Sequence, residues 1–495
     1  MLKQGLILLG AGAVTEALYL AVTLRLPWWR YGGALQSWRD LLGAVYGAFW
    51  ICLAGALLLL TIYVLGWRAL RRLNRRQQEV QGRLVWFFAL AFSATLFWLM
   101  PITSDLFNYL GQAHLFTDLG ANPLLEPAAE VNEAVLAKGG SSDPLLSTYA
   151  TVYAATPSIY GPAWTLISAP ATLGPSETAF GLSYLKGLAC LAFLGSAWLV
   201  QKIVGKLRPA SAVEALYLFA WNPLVLLMAV GDGHNDMVMM AAVLLGFRFL
   251  LQESWVLAFG ALAFSASIKY VGALFVPLFV LYTWDRSMHR SQRGPWPALL
   301  RGGFATVAVT GLLYAPLGSL EWGASVLLRL LKPANWAMTS APQPAARISW
   351  AEYVAGSVPQ EVLAWLPTLA LVGGLFAFAV AYLYLIARLR LGLKEERFNT
   401  CLPRMARRRR GRFSLQKAKA QQLFDASFTV SLLIFVLGAA RSQPWYLIWP
   451  ASLAGFSTQR RAWPALIALS AVMLLSQIWV EWGSPGLVTL ISEVI

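Results

Sequence analysis

A carboxylate with polar companions follows an apolar run in the stretch Pro101-Ile-Thr-Ser-Asp105-Leu-Phe-Asn108-Tyr109-Leu-Gly-Gln112. Continued as a helix, Asp105, Asn108, Tyr109 and Gln112 stand at i, i+3, i+4 and i+7 and share one face. Two chemistries fit that face. Ser104 or Asp105 caps a short surface helix, where Ser and Asp are preferred, or Asp105 is a base at the membrane surface facing a lipid-borne substrate. A second cluster, Gly231-Asp232-Gly233-His234-Asn235-Asp236, opens another apolar run. It reads as a turn and N-cap before Met237 with an interfacial His234, or as part of the same site. Single cations and aromatics follow at Lys269, Arg347, Arg441, Trp445 and Tyr446. Trp445 and Tyr446 fit an aromatic belt or a sugar platform. Lys186 and Lys269 either snorkel from helix ends or serve the site.

The elements that must position these groups are set by composition. Of 495 residues, 58% are hydrophobic and 13% charged, with a mean hydropathy of +0.59, a balance no soluble domain keeps in water. Repeated apolar runs near the twenty residues of a bilayer crossing predict an all-α polytopic membrane protein rather than a barrel, whose strands would alternate. Lys plus Arg number 39 against 23 Asp plus Glu, a net +16, which in such a chain reports orientation before any affinity for nucleic acid. Cys52 and Cys190 lie in apolar runs and Cys401 in the most basic loop, so neither a disulfide framework nor metal-ligand spacing is present. The opening run from Gly5 to Leu24 is followed by Arg25 and aromatics rather than a small-residue cleavage site, and reads as a retained first span.

Charge threads the chain. Arg68, Arg71, Arg72, Arg75, Arg76 and Arg83 mark the loop after the second run, Leu41 to Gly66, as cytoplasmic, so the third run, Leu84 to Met100, exits and leaves Asp105 outside. Residues 102–178 form a large outer loop in which Ile159 to Leu173 lies along the surface, because a crossing there would export Lys202, Lys206 and Arg208. The span Ala212 to Val230 brings the Gly231 cluster outside. Trp255 to Tyr282 splits into two short spans meeting near Lys269, since one long span would export Arg286, Arg290, Arg293 and Arg301. Residues 1–83 are then a two-span extension, 84–318 a core, 319–360 a second outer loop, and 361–495 a C-terminal membrane region with a basic cytoplasmic loop at 388–425. That loop anchors topology or binds anionic membrane lipid. The expected total is about 13 transmembrane helices, with every unusual polar cluster at the outer surface of the cell membrane.

Seven motifs in this order resemble the polyprenol-phosphate-mannose-dependent α-1,6-mannosyltransferases of the GT-C glycosyltransferase superfamily. They are Asp105-Leu-Phe-Asn-Tyr109-Leu-Gly-Gln112, Gly120-Ala-Asn122-Pro123, Thr156-Pro-Ser-Ile-Tyr160-Gly161-Pro162, Asn222-Pro223-Leu-Val, Gly233-His234-Asn235-Asp236, Ser267-Ile-Lys269 and Pro444-Trp445-Tyr446. The resemblance implies a GT-C fold with juxtamembrane helices in the first outer loop and Asp105 as general base. It also implies an inverting transfer from a polyprenyl-phosphate-linked mannose or related hexose to a glycolipid or polysaccharide acceptor. The expected substrate-binding set is Tyr109, Tyr160, His234, Asn235, Asp236, Lys269, Arg347, Arg441, Trp445 and Tyr446. Leu124 follows Asn122-Pro123 where the family commonly has Tyr.

No nucleotide-type glycine loop is present, no cofactor is expected, and a divalent ion at Asp105, Asp118, Asp232 and Asp236 is left open. Two rivals stand beside this reading, a GT-C enzyme acting on protein hydroxyls and a transporter or flippase of lipid-linked sugars. A transporter would place its essential ionisable groups near the midplane, where this chain has Glu16, Lys186 and Glu214.

Overall fold

The computed structural model describes residues 2–31, 46–138, 140, 157–174, 177–288, 293–317, 373–374, 376–390, 408–438, 443–459 and 462–478. Within them the chain is helical, and the antiparallel bridge between Pro27 and Leu99 stands outside any sheet. Five helices are long and apolar enough to cross a bilayer: α1 (Leu2–Arg25), α2 (Tyr46–Arg71), α3 (Arg75–Phe97), α7 (Glu177–Leu207) and α12 (Trp296–Tyr314). A broken pair bent by 56°, Pro209–Ala220 with Pro223–Gly231, whose first arm contains α8 (Ala212–Ala220), makes a sixth such element when counted as one span. Each coincides with an expected span, and the figure of about 13 goes beyond them. Several further expected spans are shorter helices here: α9 (Asp236–Leu250), α10 (Trp255–Ile268), α11 (Val276–Met288), α14 (Ile448–Ala454) and α15 (Ala462–Ile478). The segment expected as the second outer loop, residues 362–372 at the start of the run from Val362 to Ile386, and Arg347 lie outside the described residues.

The helix ends matter most, because they carry the polar clusters. α3 starts with a capping box in which the Asn74 side chain accepts from Gln77 N–H and Gln77 Oε1 accepts from Asn74 N–H. Its other end is tied to the turn after α1: Met100 N–H donates to Leu26 O at 2.8 Å, Trp28 N–H to Trp98 O at 3.0 Å, and the Trp28 and Trp98 rings stack at 5.6 Å. The chain then runs through a short loop into α4 (Asp105–Thr117).

The break after α8 follows from Asn222-Pro223. Proline cannot continue a helix from behind, and the Asn222 side chain accepts from Leu224 and Val225 N–H at 3.0 and 3.3 Å to start the next segment. That segment loosens into a π turn, Leu227–Gly231, which delivers Asp232. Between α10 and α11 the Lys269 backbone is extended (φ −148°, ψ 126°) and a 3-10 turn, Tyr270–Phe275, follows. The expected split of Trp255 to Tyr282 near Lys269 is therefore present, and packing of α10 against α9 and α12 surrounds its short length with protein.

The segment expected as the first outer loop contains α4, α5 (Ala128–Ala137) and α6 (Pro162–Ser168), with a 3-10 turn at Ala169–Thr172. Gly161 permits a contact no other residue could make, since a Cβ there would lie 2.2 Å from Ser267 O. Its N–H bonds Ile268 O at 3.0 Å, joining Tyr160 to the end of α10. Part of the segment expected as a basic loop is helical: α13 (Arg408–Leu433) begins inside the arginine run, and its buried Lys419 pairs with Asp285 of α11 at 2.7 Å.

Lys186 and Leu207 are separated along α7 by roughly 30 Å at about 1.5 Å per residue. Near Lys186 the polar clusters meet. Beyond Leu207 lies a cavity of about 430 Å³ lined by Glu214 and by Arg71, Arg208 and Thr458, the last three of which the charge threading assigns to the cytoplasm. Single cysteines introduced at Arg76 and Lys417 are expected to react with an impermeant thiol reagent only from the cytoplasmic side, and those at Ser141 and Gln343 only from outside. Labelling of Ser141 and Arg76 from one side would break the threading.

Candidate active site

Asp105 is the first residue of α4 and only 5% exposed. Ser104 at the cap position makes no side-chain capping bond, and the nearest local contact is Asp105 N–H to Thr103 Oγ1 at 3.5 Å. The carboxylate instead faces His234, with Oδ2 3.4 Å from Nδ1. A helix N-terminus favours such a charge. The rest of the polar face has a different use: Gln112 Nε2 donates to Asn108 Oδ1 at 3.3 Å, and Ser158 Oγ donates to Gln112 Oε1 at 2.9 Å. This holds the segment leading to Tyr160. Tyr109, fully buried, packs edge-on against Tyr160 and Trp164 with ring centroids 5.2 and 4.9 Å away.

The turn from Asp232 to Asp236 is buried throughout. Gly233 lets it form: φ is +73°, and a Cβ would meet Leu106 at 2.8 Å. Asp232 Oδ1 accepts from the N–H groups of Ile102 and Thr103 at 2.6 and 2.9 Å, and its Oδ2 takes His234 Nε2 at 2.8 Å. One carboxylate thereby holds the loop before Asp105 and the imidazole beside it. Burial disfavours charge on His234, but Asp232 and Asp105 outweigh it and raise its pKa to about 9. For Asp232, burial pushes the pKa up, and the imidazolium with the Thr103 contacts brings it below the usual carboxylate value. Trp445 stacks on the His234 ring at 4.2 Å. The Asn235 amide is buried with neither Oδ1 nor Nδ2 hydrogen-bonded among the described residues.

Lys269 does not snorkel. Its Nζ donates to both oxygens of Asp236 at 2.9 Å, and Trp449 Nε1 donates to Asp236 Oδ1 at 2.5 Å. Tyr446, Trp449 and Tyr160 surround the ammonium with centroids at 4.7, 5.6 and 5.8 Å, a cation–π cage. Tyr446 stacks on Trp449 at 4.6 Å. The sequence-expected residues Asp105, Tyr109, Tyr160, His234, Asn235, Asp236, Lys269, Trp445 and Tyr446 are thus drawn into one cluster from five segments. Arg441, like Arg347, lies outside the described residues.

Three residues absent from the expected set belong to this cluster: Asp232, Trp449 and Lys186. Asp232 had a signal, two positions before His234, and Trp449 follows Tyr446 by one helical turn. Lys186 is fully buried in α7 and donates to Leu99 O at 2.7 Å and to Gly231 O. Asp118, considered for a metal ion, pairs with His114 at 2.6 Å, and among the described residues no three His, Cys, Asp or Glu side chains are grouped to hold one.

Residues 5–285 match a family model described as alpha-(1->6)-mannopyranosyltransferase, N-terminal domain. The chain belongs to this family. The matched range carries Asp105, the Asp232–Asp236 turn and Lys269, while Trp445, Tyr446 and Trp449 fall beyond it. Alpha-(1->6)-mannopyranosyltransferase A of Mycobacterium tuberculosis is 26% identical over 501 residues, covering 97% of this chain and 82% of that protein. The protein of the same name in Corynebacterium glutamicum is 25% identical over 237 residues, 45% of this chain and 46% of its own.

Folded His234 holds its proton to about pH 9, against 6.5 for an unperturbed side chain. Its contribution to stability is therefore complete below about pH 6.5 and is lost as the pH rises through 9. In detergent, the melting temperature of the wild-type protein is expected to fall between pH 7 and pH 10 more steeply than that of His234→Gln. Parallel curves would remove the charged imidazole from the cluster.

Proposed function

We propose that this chain is an integral membrane glycosyltransferase that moves mannose, or another hexose, from a polyprenyl-phosphate-linked donor to a glycolipid or polysaccharide acceptor on the outer face. The observation that carries this reading is the placement of Asp105, a near-buried carboxylate at a helix N-terminus against His234, in a family of mannosyltransferases. A sugar on a polyprenyl phosphate already has a good leaving group. Asp105 takes the proton of an acceptor hydroxyl as that oxygen bonds the anomeric carbon. The bond to phosphate breaks on the opposite face, its electron pair leaves with the polyprenyl phosphate, and the anomeric configuration inverts. A β-linked donor gives an α-linkage.

His234, fixed by Asp232 and by stacking on Trp445, orients the Asp105 carboxylate. The half-buried rings of Trp445 and Tyr446 offer apolar faces to a sugar, and the unmatched amide of Asn235 suits its hydroxyls, since a buried unpaired polar group costs about 1–3 kcal/mol. The transporter alternative draws no support from the ionisable groups within the spans, which hold structural partners: Glu16 accepts from Thr95, Lys186 bonds two carbonyls, and Glu214 accepts from Trp67 at 2.8 Å.

Purified Asp105→Asn, assayed with polyprenyl-phosphate-mannose and a glycolipid acceptor, is expected to lose about 10² to 10⁴ in rate while donor binding survives. Asparagine caps a helix about as well as aspartate, so transfer near the wild-type rate would return Asp105 to a purely structural role.

The donor phosphate needs a cation, and Lys269 already neutralises Asp236. The clamp therefore falls chiefly to Arg441 or Arg347. Arg441→Ala is expected to weaken donor binding by roughly 1.5–3 kcal/mol with an unchanged melting temperature. Lys269→Ala, which strands a fully buried carboxylate, should instead destabilise the fold by on the order of 3 kcal/mol. Unchanged donor affinity in Arg441→Ala would assign that arginine to anchoring, and an unshifted melting temperature in Lys269→Ala would show that Asp236 does not depend on it.

A further inference from the structure

We propose that Lys186 is a positioning residue for Asp105, tying the residue just past α3 to the end of the π turn and so fixing the loop that presents the base. The proposal rests on the reading of Asp105 as the base. A buried ammonium is expensive unless fully paired, and an apolar side chain of similar volume would fill this place in α7 at no such cost. The partners of Lys186 explain its presence. Leu99 O lies just past α3, in the bridge to Pro27, and Gly231 O ends the π turn after the break at Asn222-Pro223. Gly231 O lies at the negative end of its helical segment, where a cation binds best.

These two carbonyls bracket the site. Leu99 opens the loop that closes at Asp105, and Gly231 directly precedes Asp232, whose carboxylate grips the same loop through Ile102 and Thr103 N–H. Lys186 thus holds one end of the loop and Asp232 its middle, and Gly231, which accepts from Lys186 and precedes Asp232 in the chain, links the two anchors. Both side chains have zero exposure. The far side of Leu99 is pinned as well, by its bridge to Pro27 and the bond from Met100 N–H to Leu26 O. With the loop held on each side, the first turn of α4 has one orientation relative to His234. Removing the ammonium would free α3 and the π turn to shift against each other, and a displacement of about 1 Å at a reacting group costs up to 10²-fold in rate.

The test compares full-length Lys186→Met, Lys186→Gln, Asp105→Asn and the Lys186→Met/Asp105→Asn double variant, with polyprenyl-phosphate-mannose as donor and a glycolipid acceptor. Expected is a fall in kcat of about 10- to 10²-fold in Lys186→Met with donor KM little changed. Partial recovery is expected in Lys186→Gln, which keeps a donor able to reach a carbonyl. The double variant should be no slower than Asp105→Asn alone, because a lysine acting through the base has nothing left to position. Multiplicative losses would overturn the proposal, as would an unchanged kcat, an effect confined to KM, or failure of both single Lys186 variants to fold, which would tie the lysine to the fold as a whole. Asp105→Asn near the wild-type rate is the separate result that removes the base itself.

Discussion

A charge taken out of water must find a partner within hydrogen-bond reach, and the architecture around Asp105 follows from that constraint. Asp232, His234, Asp236 and Lys186 all have zero exposure. Three of them are satisfied by groups from a different part of the chain: Asp232 by the loop before α4, Asp236 by Lys269 after α10 and by Trp449 of α14, and Lys186 by Leu99 just past α3 and by the end of the π turn. Pairing of this kind is sensitive to distance, so it sets the relative placement of these segments more tightly than apolar packing alone.

The helices reach these partners by breaking where the polar groups stand. Asn222-Pro223 bends one crossing by 56°, the π turn ends it at Gly231, and the extended Lys269 interrupts another pair. Backbone groups freed at such breaks need new partners in an apolar medium. Here they obtain them from the side chains of Lys186 and Asn222 and from Gly161 N–H, which bonds Ile268 O. Irregular backbone and polar site are thus two aspects of one arrangement, and Gly161 and Gly233 are among the positions where the absence of a Cβ allows it.

The cluster also joins two portions of the chain that the family comparison separates. Its carboxylates and cations lie in the matched residues 5–285, while the aromatic wall of Trp445, Tyr446 and Trp449 comes from beyond them. Polar groups beside an aromatic surface are what binding a sugar requires, since its hydroxyls need donors and acceptors and its C–H ring faces favour aromatic carbon. The cluster near Lys186 and the cavity at Arg208 are separated by roughly 30 Å of helix along α7.

Much of this was legible in the residues themselves. Hydropathy and the placement of Arg and Lys marked the long helices, because crossing a bilayer demands apolar length and leaves charge at the ends. The i, i+3, i+4, i+7 spacing after Pro101 marked a polar helical face, and the split at Lys269 followed from the arginines a single span would have exported. Periodicity could not assign roles within that face. Asn108 and Gln112 support the Tyr160 segment, and only the packing of Ser158 on Gln112 decides it. Nor could it separate a snorkelling lysine from a structural one: Lys269 and Lys186 look alike in sequence, yet one lies in an aromatic cage on Asp236 and the other between two carbonyls. Local sequence determined which segments are helices, since period and hydropathy act over a few turns. Tertiary structure decided which buried charge meets which partner, because Lys186 and Leu99, or Asp236 and Trp449, are far apart along the chain and near only in the fold.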